Sequence, residues 1–221
     1  ILFFKRSFIL SSSKKIELII NTYELLKTYS PKDVTIRMIA SASNCATTTI
    51  YKHFSDVEQL ILFSSIKYIE DFIVESQAIA KECHNALDMR RIMWQSFAKY
   101  AFQNVEVFEF LFWSSNTTRL GDTIYDYYQL FPDEWKKLDG LFTSVYFNDD
   151  IEERNRIMTH RVAASGYIRH DDANILSDME CQIFHGLLMK YKKLYRDPKM
   201  AKQGEEEFMQ MIDSLIEHYR I

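Results

Sequence analysis

Glycine and proline are scarce: five glycines and three prolines stand in 221 residues, and the first glycine is Gly121. A β-sandwich or an α/β fold would need many more turn residues, so this absence points to an all-α chain. Cysteine is sparse too. Cys45, Cys83 and Cys181 form no CxxC and no pair at metal-ligand spacing, which excludes a disulfide scaffold and argues for a reducing compartment. The six histidines (53, 84, 160, 170, 185 and 218) supply no H-x-x-x-H and no E-x-x-H, so neither a metal nor another cofactor is expected. GxSxG elbows and GxxxxGK loops are missing as well, which removes the common hydrolase and phosphate-loop signatures. The opening ILFFKRSFIL is apolar, but Lys5 and Arg6 break it and it is too short to span a bilayer. No small-residue cleavage site follows it. The expectation is a cytoplasmic protein with no membrane association.

What is present is a core and an uneven charge. Hydrophobic residues make up 47% and charged residues 26% of the chain, enough to bury a core and to exclude disorder. Residues 1–55 hold eight basic against three acidic side chains, a balance of +5, while the whole chain carries −4. A basic head on an acidic body suits a module that binds a polyanion.

Apolar spacing gives a succession of helices. Ser11–Ser13 offer caps for a first helix lined by Ile16, Ile19, Ile20, Tyr23 and Leu26, and Ser30-Pro31 stops it. Thr35 caps a short helix carrying Ile39 and Ala40, Ser43-Asn44 interrupts, and a second short helix runs from about Ala46 to Lys52. Ser55…Glu58 and Asp56…Gln59 are overlapping capping boxes that start a helix reaching about residue 80. Further helices are expected near 86–102, 104–115, 120–146 (broken near Pro132) and 150–165, the last ended by Gly166. Two strong amphipathic helices follow, one ending before Pro198 and one opening with Glu205–Glu207.

Two short helices around a tight turn make a helix-turn-helix, whose second member can enter a major groove. Asn44 is one of the few non-glycine residues that tolerates the left-handed turn geometry. With Ile39, Ala40, Ile50 and Phe54 facing helix one, Thr47, Thr48, Tyr51 and Lys52 point outward. Small hydroxyls contact base edges or thymine methyls, whereas Tyr, Lys and His donate to phosphates.

This segment resembles the head of TetR-family transcriptional regulators, matching that pattern at Thr35, Ile39, Ala40, Ile50, Tyr51, His53, Phe54, Glu58 and Leu60. It departs at Asn44 for the turn glycine, Cys45 for valine, Ala46 for the capping serine, Thr48 for a glycine and Val57 for a lysine. The resemblance implies a DNA-binding head over 1–55, with Thr35, Arg37, Thr47, Thr48, Thr49, Tyr51, Lys52 and His53 meeting the duplex. It implies a regulatory and dimerisation body over 56–221.

A weaker similarity lies downstream, in Gly166–Asp172 and in Phe184-His185-Gly186-Leu187-Leu188. By that similarity the last two helices pair with those of a second subunit, through Met179, Ile183, Gly186, Leu187, Tyr191, Phe208, Ile212, Leu215 and Tyr219. In the family the aromatic central region forms a ligand pocket. Here that implicates Trp94, Phe97, Phe112, Trp113, Tyr128, Phe131, His160 and His185, although aromatic residues at helical spacing are more often core than pocket. A ligand of such a pocket would be an apolar or aromatic small molecule.

The reading is thus an all-α homodimer that binds a palindromic operator on double-stranded DNA, acts as a repressor, and is released by that effector. Two alternatives stay open: the same fold with a body that binds a partner protein, and an all-α enzyme, which would need titratable groups converging in a cavity.

Overall fold

The computed structural model describes residues 2–114, 119–135 and 150–221, giving backbone alone at residues 2–12, 80 and 135. Helices account for the regular structure among the described residues, and the one strand-like contact is an isolated antiparallel bridge between Ile168 and Arg220.

The head is built from α1 (Leu2–Leu26), α2 (Ile36–Ala42) and α3 (Thr47–Ile50). Helix α1 starts well before the serines expected to cap it, because neither glycine nor proline breaks residues 2–26. It ends where Thr28 and Tyr29 both donate to the Leu25 carbonyl, just ahead of Ser30-Pro31. Leu18, Ile19, Ile39, Ile50 and Phe54 are buried between the three helices, and Leu60 and Phe63 of α4 (Val57–Ser65) close the same core. Asp56 is the true cap of α4, accepting from the Gln59 amide at 2.6 Å, while the Gln59 side chain accepts from the Ser55 amide at 2.8 Å.

The helix expected to run unbroken to residue 80 is divided at Ile66 into α4 and α5 (Lys67–Ala80). The cause is local. Ser64 and Ser65 are buried and donate back to the Leu60 and Ile61 carbonyls, both at 2.8 Å, and such competition for the helical acceptors bends a helix.

The body adds α6 (Ala86–Gln103), α7 (Val105–Trp113), α8 (Leu120–Leu130), α9 (Pro132–Trp135), α10 (Ile151–Ala164), α11 (Ala173–Tyr191) and α12 (Pro198–Tyr219). Asn85 caps α6, Asp150 caps α10 and Asp197 caps α12, each by accepting a backbone N–H. Gly166, at φ 78°, closes α10 in a Schellman arrangement, with Gly166 donating to the Ala163 carbonyl and Tyr167 to that of Val162. Helix α6 runs through the centre, packed on α5, α10 and α12. Around it the Phe97 ring meets Phe72, Trp94, Phe108, Phe112 and Phe184 at centroid distances of 5.2–6.0 Å. These rings are therefore core, each edge-to-face pair contributing about 0.5–1.5 kcal/mol beyond area burial.

Candidate functional site

The turn between α2 and α3 has the geometry its sequence asks for. Asn44 adopts φ 45°, the one positive value at a non-glycine residue among those described. Cys45 donates to the Ala40 carbonyl at 3.0 Å and Asn44 to that of Ser41 at 3.2 Å. Two α1 side chains, unnoticed in the sequence, fasten this turn from beneath. Asn21 Nδ2 donates to Ser43 Oγ at 3.1 Å, and Lys14 Nζ donates to the Ser43 carbonyl at 3.1 Å. Their seven-residue spacing, which puts both on one helix face, is the signal that could have found them.

Regular α3 is shorter than expected, with Tyr51–His53 continuing it as a turn. Lys52 donates to the Thr49 carbonyl, and His53 and Phe54 donate to that of Ile50. Ala46 gives α3 no side-chain cap. Ile50 and Phe54 anchor the segment inward, leaving Thr48, Tyr51 and Lys52 exposed and Thr47, Thr49 and His53 half-buried. Thr35 and Arg37 stand exposed at the start of α2, and Thr35 Oγ1 caps that helix by accepting from the Met38 amide at 3.3 Å. All eight sequence-proposed DNA contacts therefore lie on or beside one short rod and the helix before it, and none is fully buried.

The field over this face is cationic. Partial burial and the neighbouring Lys15, Lys14 and Lys52 ammonium groups hold His53 below the ordinary imidazole pKa, so it is neutral at pH 7. Lys15 lies over the Phe54 and Phe63 rings at 5.2 and 4.6 Å, and burial lowers its pKa as well.

Polar contacts lash head to body. Arg119, at the start of α8, pairs with Asp56 at 3.5 Å and donates to Ser55 Oγ at 3.4 Å, while Arg196 donates to the Thr28 carbonyl at 3.3 Å. A groove of about 630 Å³ runs along this junction beneath Tyr68, Asn104, Tyr195 and Arg196. Its lining cations Lys27, Arg196 and Lys202 are paired with Glu24, Glu106 and Glu205 respectively.

Of the eight residues expected to line a ligand pocket, Trp94, Phe97, Phe112, Trp113 and His185 follow one another in ring contact, while Tyr128, Phe131 and His160 lie apart from them. Trp94 and Phe97 line a cleft of about 70 Å³ between α5, α6 and α10. Phe112 is core, and Trp113 stacks on His185 with centroids 4.6 Å apart. Tyr128 and Phe131 belong to a different cluster, in which Phe131 stacks on Tyr127 and Lys67 bridges Tyr127 and Glu134. His160 is exposed and pairs with Asn174 at 2.9 Å, because the α10 face it occupies looks outward. Phe142, Tyr146 and Phe147 lie outside the described residues. The polar groups of the cleft went unseen in the sequence: Arg90, Arg154 and Asn155 line it, and Glu180 lies behind them. No short-range spacing announces a cluster assembled from α6, α10 and α11.

The C-terminal pair also needs correction. Leu187, Tyr191, Phe208 and Ile212 are buried within their own subunit, against α6 and each other, and are not available to a partner. Ile183, Leu215 and Tyr219 are half-buried. The outward face of the two helices carries Ile175, Met179, Gly186 and Met211, all exposed.

Among the described residues no group of His, Cys, Asp and Glu could hold a metal ion, and no helix is long and apolar enough to cross a membrane. No family model and no curated protein matches the sequence. At the level of structure the chain is similar to a protein described as a TetR-family transcriptional regulator from Mesorhizobium loti. The TM-score is 0.58 at 13% identity, over 96% of this chain and 98% of that one. A second, described as a TetR-family transcription regulator from a Shewanella species, superposes with a TM-score of 0.49 at 13% identity, over 90% and 97% of the two chains. The first likeness spans nearly both chains, so the fold is that of a TetR-family regulator, as the head motif led us to expect.

Proposed function

We propose that this chain is a DNA-binding transcriptional regulator that works as a symmetric dimer. The observation that carries the reading is the α2–turn–α3 unit. Its turn is set by Asn44 in the left-handed region, and Thr48, Tyr51 and Lys52 are offered to solvent, with half-buried Thr47 beside them, from a head whose balance is +5. A rod of this size fits a major groove, where Lys52, Tyr51, Arg37, Thr35 and His53 serve the phosphates and Thr47, Thr48 and Thr49 face the bases. Pairing of two copies through the outward faces of α11 and α12 puts two such rods on one side of a duplex, about 34–36 Å apart for successive grooves. A palindromic operator follows from that symmetry.

Regulation runs through α4. It closes the head core and is continuous, through the Ile66 bend, with a helix that walls the body cleft. An effector that favours a different α5 position changes the spacing of the heads, and DNA affinity falls by its differential binding energy. Repression relieved by a small molecule is the outcome this geometry favours.

The test is selection of duplexes from a random pool by the purified full chain, followed by mobility shifts at low and high salt. Recovery of an inverted repeat with half-site centres one helical turn, or an integral number of turns, apart supports the reading. Indifference to all duplexes at low ionic strength refutes it.

A further inference from the structure

We infer that Lys14 and Asn21 of α1 are positioning residues for sequence readout: acting through Ser43, they fix the angle at which α3 meets a duplex. This role rests on the regulator reading and deepens it, since neither side chain is among the groups proposed to touch DNA. Ser43 ends α2, and only Asn44 and Cys45 separate it from Ala46, where α3 begins. Each of its polar groups is held. Its amide donates to the Ile39 carbonyl at 2.9 Å, its Oγ accepts from Asn21 Nδ2 at 3.1 Å, and its carbonyl accepts from Lys14 Nζ at 3.1 Å. Ser43 is 3% exposed, so these bonds form where water competes little. Lys14 and Asn21 flank the fully buried Leu18 on one face of α1, which ties the bonds to the head core.

Helix α3 cannot hold that angle unaided. It has four residues, far fewer than a self-supporting helix needs, and Ala46 gives it no side-chain cap. Ile50 and Phe54, both buried, anchor its far end. Its near end depends on the turn, through the Cys45 amide bonded to the Ala40 carbonyl at 3.0 Å and through Ser43. Thr47 and Thr48 stand at that near end. Hydrogen bonds to base edges need their groups held to within about 0.5 Å by supporting bonds, whereas a phosphate contact from a long, flexible stem such as that of Lys52 tolerates a small tilt. A loosened turn therefore costs readout before it costs attachment. The Lys14 ammonium is itself committed, pairing with Glu17 at 2.7 Å while it donates to Ser43, so its part is support of the turn and not phosphate contact.

Asn21→Leu removes the Ser43 bond without altering charge, and leucine is the better helix former for α1. Affinity of this variant for the inverted repeat recovered by duplex selection should fall about three- to tenfold, the size expected of one neutral hydrogen bond. Its affinity for random duplex and its salt slope should not change. Ser43→Ala should do the same, and the double variant should lose no more than either single one, since all three lack the same bond. Lys14→Met should show the same selective loss, and Lys14→Arg should recover it. Amide hydrogen exchange gives a reading without DNA. The Asn44 and Cys45 amides should exchange faster in Asn21→Leu and in Ser43→Ala, while the Phe54 amide keeps its rate. Unchanged affinity for the repeat, equal losses on repeat and random duplex, or additive losses in the double variant overturn the role of Asn21. A salt slope lowered by about one unit in Lys14→Met makes Lys14 a phosphate contact and overturns its supporting role. Should the unaltered chain bind no duplex, the regulator reading falls, while faster exchange at the turn in the variants keeps the clamp and unchanged exchange removes it.

Discussion

A Cβ placed on Gly204 would lie 2.6 Å from Cδ1 of Phe102, a ring that is itself fully buried. Helix α12 meets α6 at this point, and Tyr191 closes the other side at 3.1 Å. Phe102 is itself packed against Phe184 and Tyr191, so Gly204→Ala overpacks the core at a cost of about 1–3 kcal/mol. For a chain of this length that lowers the melting temperature by roughly 2–4 °C per kcal/mol, which differential scanning calorimetry reads directly. An unchanged melting temperature would mean that α12 does not sit this closely on α6.

Gly186 behaves in the opposite way, because a Cβ there meets nothing within 4 Å. Gly186→Ala should raise subunit stability by about 0.5–1 kcal/mol through helix propensity alone. If the outward faces of α11 and α12 pair with a second copy, Gly186→Arg should convert the dimer to monomer while leaving the helical circular dichroism intact. Light scattering checks this: a Gly186→Arg chain that stays dimeric removes α11 from the seam.

Lys52 and Thr47 separate positioning from readout. Lys52→Ala should weaken binding to every duplex and reduce the magnitude of the salt slope by about one unit. Thr47→Ala should relax discrimination at one operator position by about 1–3 kcal/mol, with little change in salt dependence. Competition mobility shifts across a salt series measure both. Equal losses for specific and random duplexes in Thr47→Ala would remove it as a reader.

The parts of this molecule that a sequence reveals are those fixed by neighbours along the chain. Asn44 was readable because a left-handed turn residue has few candidates, and Gly166 because helix ends have a local chemistry. The Ile66 bend was not read, since Ser64 and Ser65 break no period and act only by turning their hydroxyls back on the backbone. Leu187, Tyr191, Phe208 and Ile212 make an apolar stripe whichever neighbour covers it, and periodicity cannot distinguish α6 of the same subunit from a second subunit. The cleft is the extreme case: Arg90, Arg154, Asn155 and Glu180 come from three helices, and no spacing along the chain joins them.

His53 should make DNA binding pH-dependent. In the free head, burial and three lysines hold its pKa below the ordinary value, so it is neutral at pH 7. A phosphate beside it favours the imidazolium and raises that pKa in the complex. The complex then binds more protons than the free chain, so affinity rises as pH falls through the bound-state value and levels off below the free-state one. Binding isotherms between pH 8 and pH 5.5, run at constant ionic strength, should show this gain, and His53→Gln should flatten it. A slope that survives His53→Gln places the titrating group elsewhere.

Arg90 and Glu180 are 1% and 0% exposed and paired with each other, and the rest of their bonding is also internal: Arg90 Nε reaches Thr159 Oγ1 at 3.5 Å, and Asn155 ties Glu180 to Ser177 Oγ at 3.0 Å. Each charge was taken out of water, so the pair's net contribution is small even though its mutual attraction is large. Glu180→Leu leaves a guanidinium buried without its counter-charge and should destabilise the chain by about 3–5 kcal/mol in urea denaturation. Arg90→Met should cost a similar amount, because it strands the carboxylate against Trp94 and Asn155. The double variant Arg90→Met/Glu180→Leu removes both desolvation penalties and keeps most of the volume, so it should be more stable than either single variant. Strict additivity of the two losses would show that the charges do not depend on each other, and the network drawn here around Glu180 would then be wrong.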